Sequence, residues 1–254
     1  MKKNNFIKGL SVLAIACTFS ACQKSDLSSS ASSSTQMSFA ISASGTGGSL
    51  ASVANSGGIT TNAIGSTAVA PTGSITWTSG IANIAYFKLE AKKKNTEIEI
   101  TTKNLSNVDL FAITPASIST VIDTGTYKEI EVRVALAKTS GSAIPLTLKG
   151  TFTTPGGAIV PIEYDFNEDA LIKVEAENIT IDGKTDIAAI AKINLTTVIN
   201  GMTAAALDKA TRVNGTLIIS STVNADIYDK IKANVALSGG WGGFSHHDKS
   251  ERHG

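Results

Sequence analysis

Few side chains of this sequence could act as a nucleophile or bind a transition metal. It contains two cysteines, Cys17 and Cys22, and three histidines, His246, His247 and His253, all near the C-terminal end. Imidazole is a common ligand of transition metals, so the histidines are weak candidates for a metal site. No histidine precedes them, so the rest of the chain lacks an imidazole base for a serine or cysteine nucleophile. We therefore expect no catalytic residues of this kind.

Paired carboxylates are the remaining catalytic option, because a glycoside hydrolase needs two of them flanking the scissile bond. The candidates are Glu129, Glu131, Glu163, Asp165, Glu175 and Glu177. Most of them occupy outward strand positions that alternate with apolar residues, where a solvated charge is ordinary. The sequence therefore favours a protein that is not an enzyme, and a carboxylate-dependent glycoside hydrolase is the less favoured alternative.

A calcium loop is suggested by Asp165, Asn167 and Asp169, which have the spacing of its first three ligands. The pattern then fails, because Ala170 stands where the loop needs glycine and Ala176 where a glutamate should close the site. A polar turn between two strands explains these residues better. We expect no bound metal and no cofactor.

Cys22 follows a segment organised like an export signal. Lysines near the N-terminus precede an apolar run from Leu10 to Phe19, which small residues follow. The run is shorter than the roughly 20 apolar residues that span a bilayer as a helix. We therefore interpret residues 1–21 as a signal peptide.

The residues before Cys22, Phe19-Ser20-Ala21, resemble the lipobox of bacterial lipoproteins. The resemblance implies cleavage before Cys22 and acylation of its thiol, with palmitate among the expected chains. Cys17 is the competing site, but cleavage there would leave the apolar Phe19 in the mature chain. An ordinary secreted protein is the other alternative. With residues 1–21 removed, no second cysteine remains for a disulfide.

The segment after Cys22 gives an expectation of location. Residues 23–26, Gln-Lys-Ser-Asp, resemble the short charged export tag of Bacteroidota lipoproteins shown on the outer cell surface. This implies the outer membrane, at the cell surface, with the periplasmic face as the alternative. The serine-rich stretch from Ser28 to Gln36 is typical of a flexible linker. Residues 22–36 are thus predicted to be a lipidated cysteine and a tether.

The overall charge disfavours long-range attraction to nucleic acid or to an acidic membrane surface. The 22 basic and 21 acidic residues give a formal net charge of +1, which provides no overall field for nucleic acid or for an acidic membrane surface. The basic cluster Lys92-Lys93-Lys94 is predicted to be the tip of a hairpin rather than a binding patch.

Residues 37–238 are predicted to form an antiparallel β-sandwich, a mainly β fold. Apolar and polar residues alternate over many short segments separated by turn residues, most clearly from Tyr127 to Lys138. Two short helices are expected near the C-terminus, capped by Thr203 and Asn224. A division into two subdomains near 140 or 183 stays open. Residues 45–73 are predicted to be a long loop, and the glycine-rich residues 239–254 a disordered tail.

A family resemblance covers about residues 75–181. The segment from Val108 to Val134 is similar to the Gly-x-Tyr strand entry of carboxypeptidase-regulatory-like and transthyretin-like sandwiches, here with Gly125 and Tyr127. In such domains the tyrosine caps the core and a long strand follows. The resemblance implies a domain of unknown function found in Bacteroidota lipoproteins, and it implies no activity.

The favoured function is a lipid-anchored, non-enzymatic module for binding, adhesion or assembly, attached to the membrane by its lipid. Its partner is expected to be another envelope protein or a glycan. The alternative is a carbohydrate-binding accessory protein of a glycan-uptake system. Its aromatic candidates are Trp77, Tyr86, Tyr127, Tyr164 and Trp241. Trp77, Tyr127 and Tyr164 lie in registers that favour core packing over sugar stacking.

Overall fold

The computed structural model describes residues 34–50, 72–102 and 104–248. Its strands are β1 (Ser34–Ser44), β2 (Gly47–Ser49), β3 (Ser74–Ile84), β4 (Tyr86–Lys92), β5 (Glu97–Thr101), β6 (Leu105–Asp109), β7 (Ser117–Asp123), β8 (Gly125–Leu136), β9 (Leu146–Thr153), β10 (Ile159–Phe166), β11 (Ala170–Ile181), β12 (Thr185–Asn194), β13 (Arg212–Val213), β14 (Thr216–Ile219) and β15 (Gly239–Asp248). Its helices are α1 (Leu195–Val198), α2 (Ala204–Lys209), α3 (Ala225–Ile231) and α4 (Asn234–Leu237). Within these ranges no helix is long and apolar enough to cross a membrane.

The strands form three sheets whose inner faces share one hydrophobic core. Their orders are β15-β12-β1-β7, β13-β14-β10-β9-β3-β2 with β6 beside β3, and β11-β8-β4-β5. Most pairs are antiparallel, while β1 pairs with β12, and β10 with β14, in parallel. The predicted mainly β, sandwich-like fold with short helices toward the C-terminus is confirmed.

The first strand buries an apolar face: Met37, Phe39 and Ile41 are all inaccessible to solvent or nearly so. The strand begins at Ser34, however, so the predicted tether extends too far. The hydroxyl of Thr35 donates to the carbonyl of Thr185 at 2.7 Å, and residues 34–36 pair with residues 121–123 of β7. Residues 34–36 are therefore part of the sheet, and residues 22–33 lie outside the described ranges.

The C-terminal segment corrects the prediction of a disordered tail. Residues 239–248 form β15, which pairs antiparallel with β12. Backbone hydrogen bonds need no apolar side chains, and glycine permits close approach. A Cβ on Gly239 would lie 2.7 Å from the carbonyl oxygen of Lys173, and one on Gly242 2.6 Å from that of Ile190. The last residues, 249–254, are outside the described ranges.

Strands on both sides of residues 140 and 183 pair with one another. β8 pairs with β11 across the first position, and β1 with β12 across the second, so both sides contribute to the same core. Part of the predicted 45–73 loop is ordered, because β2 pairs with β3. Residues 51–71 lie outside the described ranges.

The two predicted helix starts have different outcomes. The hydroxyl of Thr203 accepts a hydrogen bond from the amide of Ala206 and caps α2, as expected. Asn224 precedes α3 in a left-handed conformation, φ 53°, and its side chain does not cap the helix. Its amide group instead bonds to the backbone of Thr211, just before β13, and of Ile218 in β14, and so links both strands to the start of the helix.

The entry into β8 positions the hairpin formed by β4 and β5. Gly125 has a φ of 138°, and Tyr127 is fully buried, with its hydroxyl donating to the carbonyl of Asp123 at 2.6 Å. Burial, with the negative charge of Asp123, raises the pKa of Tyr127 to about 12. The lysines of residues 92–94 occupy the hairpin tip, as predicted, and the Lys93 ammonium lies 4.7 Å from the centre of the Tyr127 ring.

Candidate functional site

The outward side of the sheet β11-β8-β4-β5 carries two cross-strand rows of charge, which together we call the charged face. One row holds Glu175, Glu131, Glu90 and Glu99, and the adjacent row holds Lys173, Arg133 and Lys88. Like charges opposite one another in a sheet are destabilising. The cations lie two residues further along the strands on the same side, where their side chains reach the glutamates. The two rows therefore stabilise each other.

The sequence produces this face through strict alternation in β8. Ile130, Val132 and Val134 point into the core, while Glu131 and Arg133 between them point outward. The neighbouring strands β4 and β11 have the same alternation. Their apolar residues therefore line the inner face of the sheet, and their charged residues line the outer face. An antiparallel sheet with one wet side is built in this way.

Each cation of the charged face bridges two glutamates. Lys88 lies 2.9 Å from Glu90 and 3.1 Å from Glu99. Arg133 contacts Glu90 at 2.7 Å and also pairs with Glu131 through its Nε. Lys173 pairs with Glu131 and lies 3.2 Å from Glu175. The result is a continuous zigzag of ion pairs across four strands.

Glu131 is the centre of this network and corrects one expectation. The sequence places it on a solvated register, yet only 2% of it is exposed. Arg133 and Lys173 pair with its two carboxylate oxygens, one each, and their long side chains cover it. An outward position thus becomes buried by its neighbours rather than by the core.

Other carboxyl groups of the sheet are held in the ionised form. A hydrogen bond from Lys88 lowers the pKa of Glu90, and one from Lys92 lowers the pKa of Glu129. The Lys92 ammonium lies 2.8 Å from Glu129. A general acid for glycoside hydrolysis needs the opposite, a carboxyl group with a raised pKa. These glutamates therefore suit charge pairing better than proton donation.

The other two hydrolase candidates lie on a different sheet. Glu163 and Asp165 are on β10, where Glu163 pairs with Lys149 at 3.1 Å. Burial raises the pKa of Asp165, and the Thr147 hydroxyl donates to its Oδ1 at 3.0 Å. The six candidate carboxylates are thus divided between two sheets rather than gathered around one point.

The suggested calcium ligands have other partners. Asn167 and Asp169 lie in the turn between β10 and β11, where their side-chain oxygens accept hydrogen bonds from the backbone amides of Thr139 and Lys138. They hold the turn against the segment that leaves β8. The expectation of a polar turn is consistent with this geometry, and no group of three or more potential metal ligands occurs within the described ranges.

An open apolar groove borders the charged face at the end of β8; we call it the apolar groove. Its volume is about 380 Å³, and Tyr86, Ala135 and Leu171 form a cross-strand row on its floor. Tyr86 is 38% exposed and Leu171 is 43% exposed. Asp169 is a polar residue at its margin. The groove combines an aromatic ring, aliphatic surface and adjacent charge, which is a composition suited to ligand binding.

The aromatic candidates for sugar binding differ in their exposure to solvent. Trp77, Tyr127 and Tyr164 are buried in the core, as their registers predicted. Among the four candidates whose side chains the structure describes, Tyr86 is the one that reaches the surface. Trp241 lies on β15, opposite Ala191 of β12.

For the remaining predicted site residues, the structure gives the backbone position or no position. The backbones of His246 and His247 lie in β15, opposite Ile187 and Asp186. His253 and the predicted lipidation site Cys22 lie outside the described ranges. The metal and lipidation hypotheses therefore stay predictions.

The sequence signal for the apolar groove was present but weak. Leu171 occupies the outward register of β11 shared with Lys173 and Glu175, where an apolar residue is unexpected.

Comparisons with protein-family models, with curated proteins and with solved structures found no match. Function has to be inferred from the residues of the charged face, the apolar groove and the N-terminal segment.

Proposed function

We propose that this protein is a lipid-anchored, non-enzymatic envelope module that binds a partner while held at the outer membrane, on the cell surface. The anchor is proposed from the sequence around Cys22, where an export signal ends in small residues before a cysteine. Acyl chains on that cysteine hold the chain at the membrane, because each buried methylene contributes about 0.8 kcal/mol.

The binding role is supported by one observation above all, the apolar groove. Its floor exposes Tyr86 and Leu171 on a sheet whose inner side is fully packed. These side chains do not contribute to the core, and exposing them in a contiguous row carries a solvation cost. A partner that covers them, such as another envelope protein, removes that cost.

The anchor is tested by Cys22→Ser with Cys17→Ser as the matched control. The proposal expects Cys22→Ser to abolish labelling with palmitate and to move the protein out of the membrane fraction. Cys17→Ser should leave both unchanged. Retention of label in Cys22→Ser would place the acyl chain elsewhere.

The carbohydrate-binding alternative is favoured by a specific feature of the apolar groove. Tyr86 offers an aromatic face, and Lys88, Arg133 and Asp169 supply polar groups next to it. Sugars are bound by stacking on an aromatic ring together with hydrogen bonds from such groups. A glycan accessory protein would use these residues.

A glycan array with Tyr86→Ala separates the two functions. Val213→Ala is the matched control, since Val213 is an equally exposed apolar residue on another sheet, also 38% exposed. Glycan binding that Tyr86→Ala abolishes and Val213→Ala preserves would favour the accessory role. No binding by the unmodified protein would favour a protein partner.

A further inference from the structure

The hairpin between β4 and β5 ends in a cluster of positive charge, which we call the basic tip. It comprises Lys92, Lys93, Lys94 and Lys128 around a shallow depression, with Glu97 as the carboxylate at its margin. Lys92 is neutralised by Glu129 at 2.8 Å. With Lys92 and Glu129 paired, Lys93, Lys94 and Lys128 remain beside the carboxylates of Glu97 and Asp123, which leaves a surplus of one positive charge.

Two contacts of Lys93 fix the basic tip against the rest of the fold. The Lys93 ammonium donates to the carbonyl of Thr124 at 2.7 Å and packs over the ring of Tyr127. Both contacts are with uncharged groups, and Lys93 forms no ion pair in the part of the chain that the structure describes. Within the described ranges, neither Lys94 nor Lys128 forms an ion pair, and Lys94 is exposed.

The basic tip lies at the end of the fold where the chain enters from its N-terminus. Lys93 bonds to Thr124, and the preceding residue, Asp123, pairs with Ser34 at the start of β1. Cys22 lies only 12 residues before Ser34 in the sequence, a separation that covalent geometry limits to at most about 40 Å. A membrane holding Cys22 is therefore within reach of these lysines.

We propose that the basic tip rests on the anionic lipid headgroups of the membrane that holds the acylated Cys22. This deepens the proposed function and rests on it. Each lysine close to an anionic bilayer surface contributes on the order of fivefold to the partition toward it, and the effect decays within a Debye length. The near-zero net charge of the whole chain does not oppose this, since only the charges near the surface act.

The contact would orient the anchored protein relative to the membrane. β8 runs from Lys128 at the basic tip to Ala135 in the apolar groove, a span of seven residues or about 23 Å along the strand. With the tip on the membrane, the apolar groove points away from it. The proposed binding site is then presented to partners outside.

Energy transfer from the tip to the membrane tests the proposal. A donor dye is placed at Asn95→Cys, in the exposed tip, on acylated protein in vesicles with headgroup acceptors. In the mature protein Cys22 is acylated and Cys17 removed, so the introduced thiol is the only one. We expect strong transfer in phosphatidylcholine–phosphatidylglycerol vesicles, and weaker transfer in pure phosphatidylcholine or at high salt. A dye at Ser140→Cys, beyond the far end of β8, should transfer weakly in both.

Charge removal supplies the matched variants. Lys94→Gln with Lys128→Gln should lower the tip-down population about 25-fold, which brings transfer to the level in neutral vesicles. Lys138→Gln with Lys232→Gln removes equal charge near the turn of residues 167–169 and should change nothing. If the protein is bound to vesicles but energy transfer from the tip dye changes with neither the lipid charge nor these variants, the inference is overturned while the lipid anchor stands. Recovery of the unmodified protein in the aqueous fraction would overturn the lipid anchor, and the inference with it.

Discussion

Glu131 shows how a single residue can depart from its pattern. Alternation in β8 assigns it to the solvent side, and the structure agrees about direction. Its burial comes from Arg133 and Lys173, on the same strand and on the neighbouring one, whose side chains fold over it. Such cover depends on cross-strand register, which the sequence of β8 alone does not contain.

Glu131→Gln should destabilise the fold more than Glu175→Gln. The first substitution removes the charge that Arg133 and Lys173 pair with, and we expect the weaker hydrogen bonds to lower the free energy of unfolding by about 2 kcal/mol. Glu175 shares Lys173 as a partner but is exposed, so its substitution should cost less than about 0.5 kcal/mol. Chemical denaturation of both variants measures this, and equal losses would show that burial of Glu131 is not what matters.

At the scale of elements, the strands that pack with one face inward were predictable, since their apolar residues recur with period two. The pairing of β1 with β12 was not, because it joins segments about 150 residues apart in parallel. Strand β15 was missed since its glycines and polar residues give no apolar period; backbone pairing and close approach at Gly239 hold it. The apolar groove was only partly foreseen, through Tyr86.

The ion pairs of the sheet β11-β8-β4-β5 should make stability sensitive to acid. Hydrogen bonds from Lys88 and Lys92 lower the pKa of Glu90 and Glu129 in the folded state, below the value of about 4.3 expected when unfolded. The stabilisation is present above the unfolded pKa and is lost as pH falls through the folded one. The free energy of unfolding should therefore drop between about pH 5 and pH 3.

Denaturation across that pH range in Glu90→Gln with Glu129→Gln provides the comparison. The variant lacks both titrating groups, so its free energy of unfolding should fall less steeply. A slope identical to that of the unmodified protein would assign the acid sensitivity to other carboxyl groups.

The contact between β3 and β9 depends on one glycine. A Cβ at Gly150 would overlap the carbonyl oxygen of Thr76 on the paired strand, so Gly150→Ala must separate the two strands. We expect a loss of about 3 kcal/mol in the free energy of unfolding. Gly141→Ala is the matched control, since no neighbouring atom lies within 4 Å of its added Cβ. Thermal unfolding should give this variant a melting temperature close to that of the unmodified protein. Equal melting temperatures for both variants would contradict this account.

For the whole molecule, the basic tip and the apolar groove lie toward opposite ends of β8, and the proposed anchor at Cys22 precedes β1 in the sequence. The basic tip lies beside the start of β1 and the apolar groove at the far end of β8. A chain held through Cys22 and resting on its lysines would carry Tyr86 and Leu171 outward. Net charge and composition alone could not predict this, because both average over the two ends.

The lipid on Cys22 is the premise of that arrangement, and mass spectrometry of the mature protein from its native membrane tests it directly. We predict a polypeptide that begins at residue 22 and carries the added mass of acyl chains on that residue. A mature chain that begins elsewhere, or that begins at residue 22 without acyl mass, would contradict the proposal.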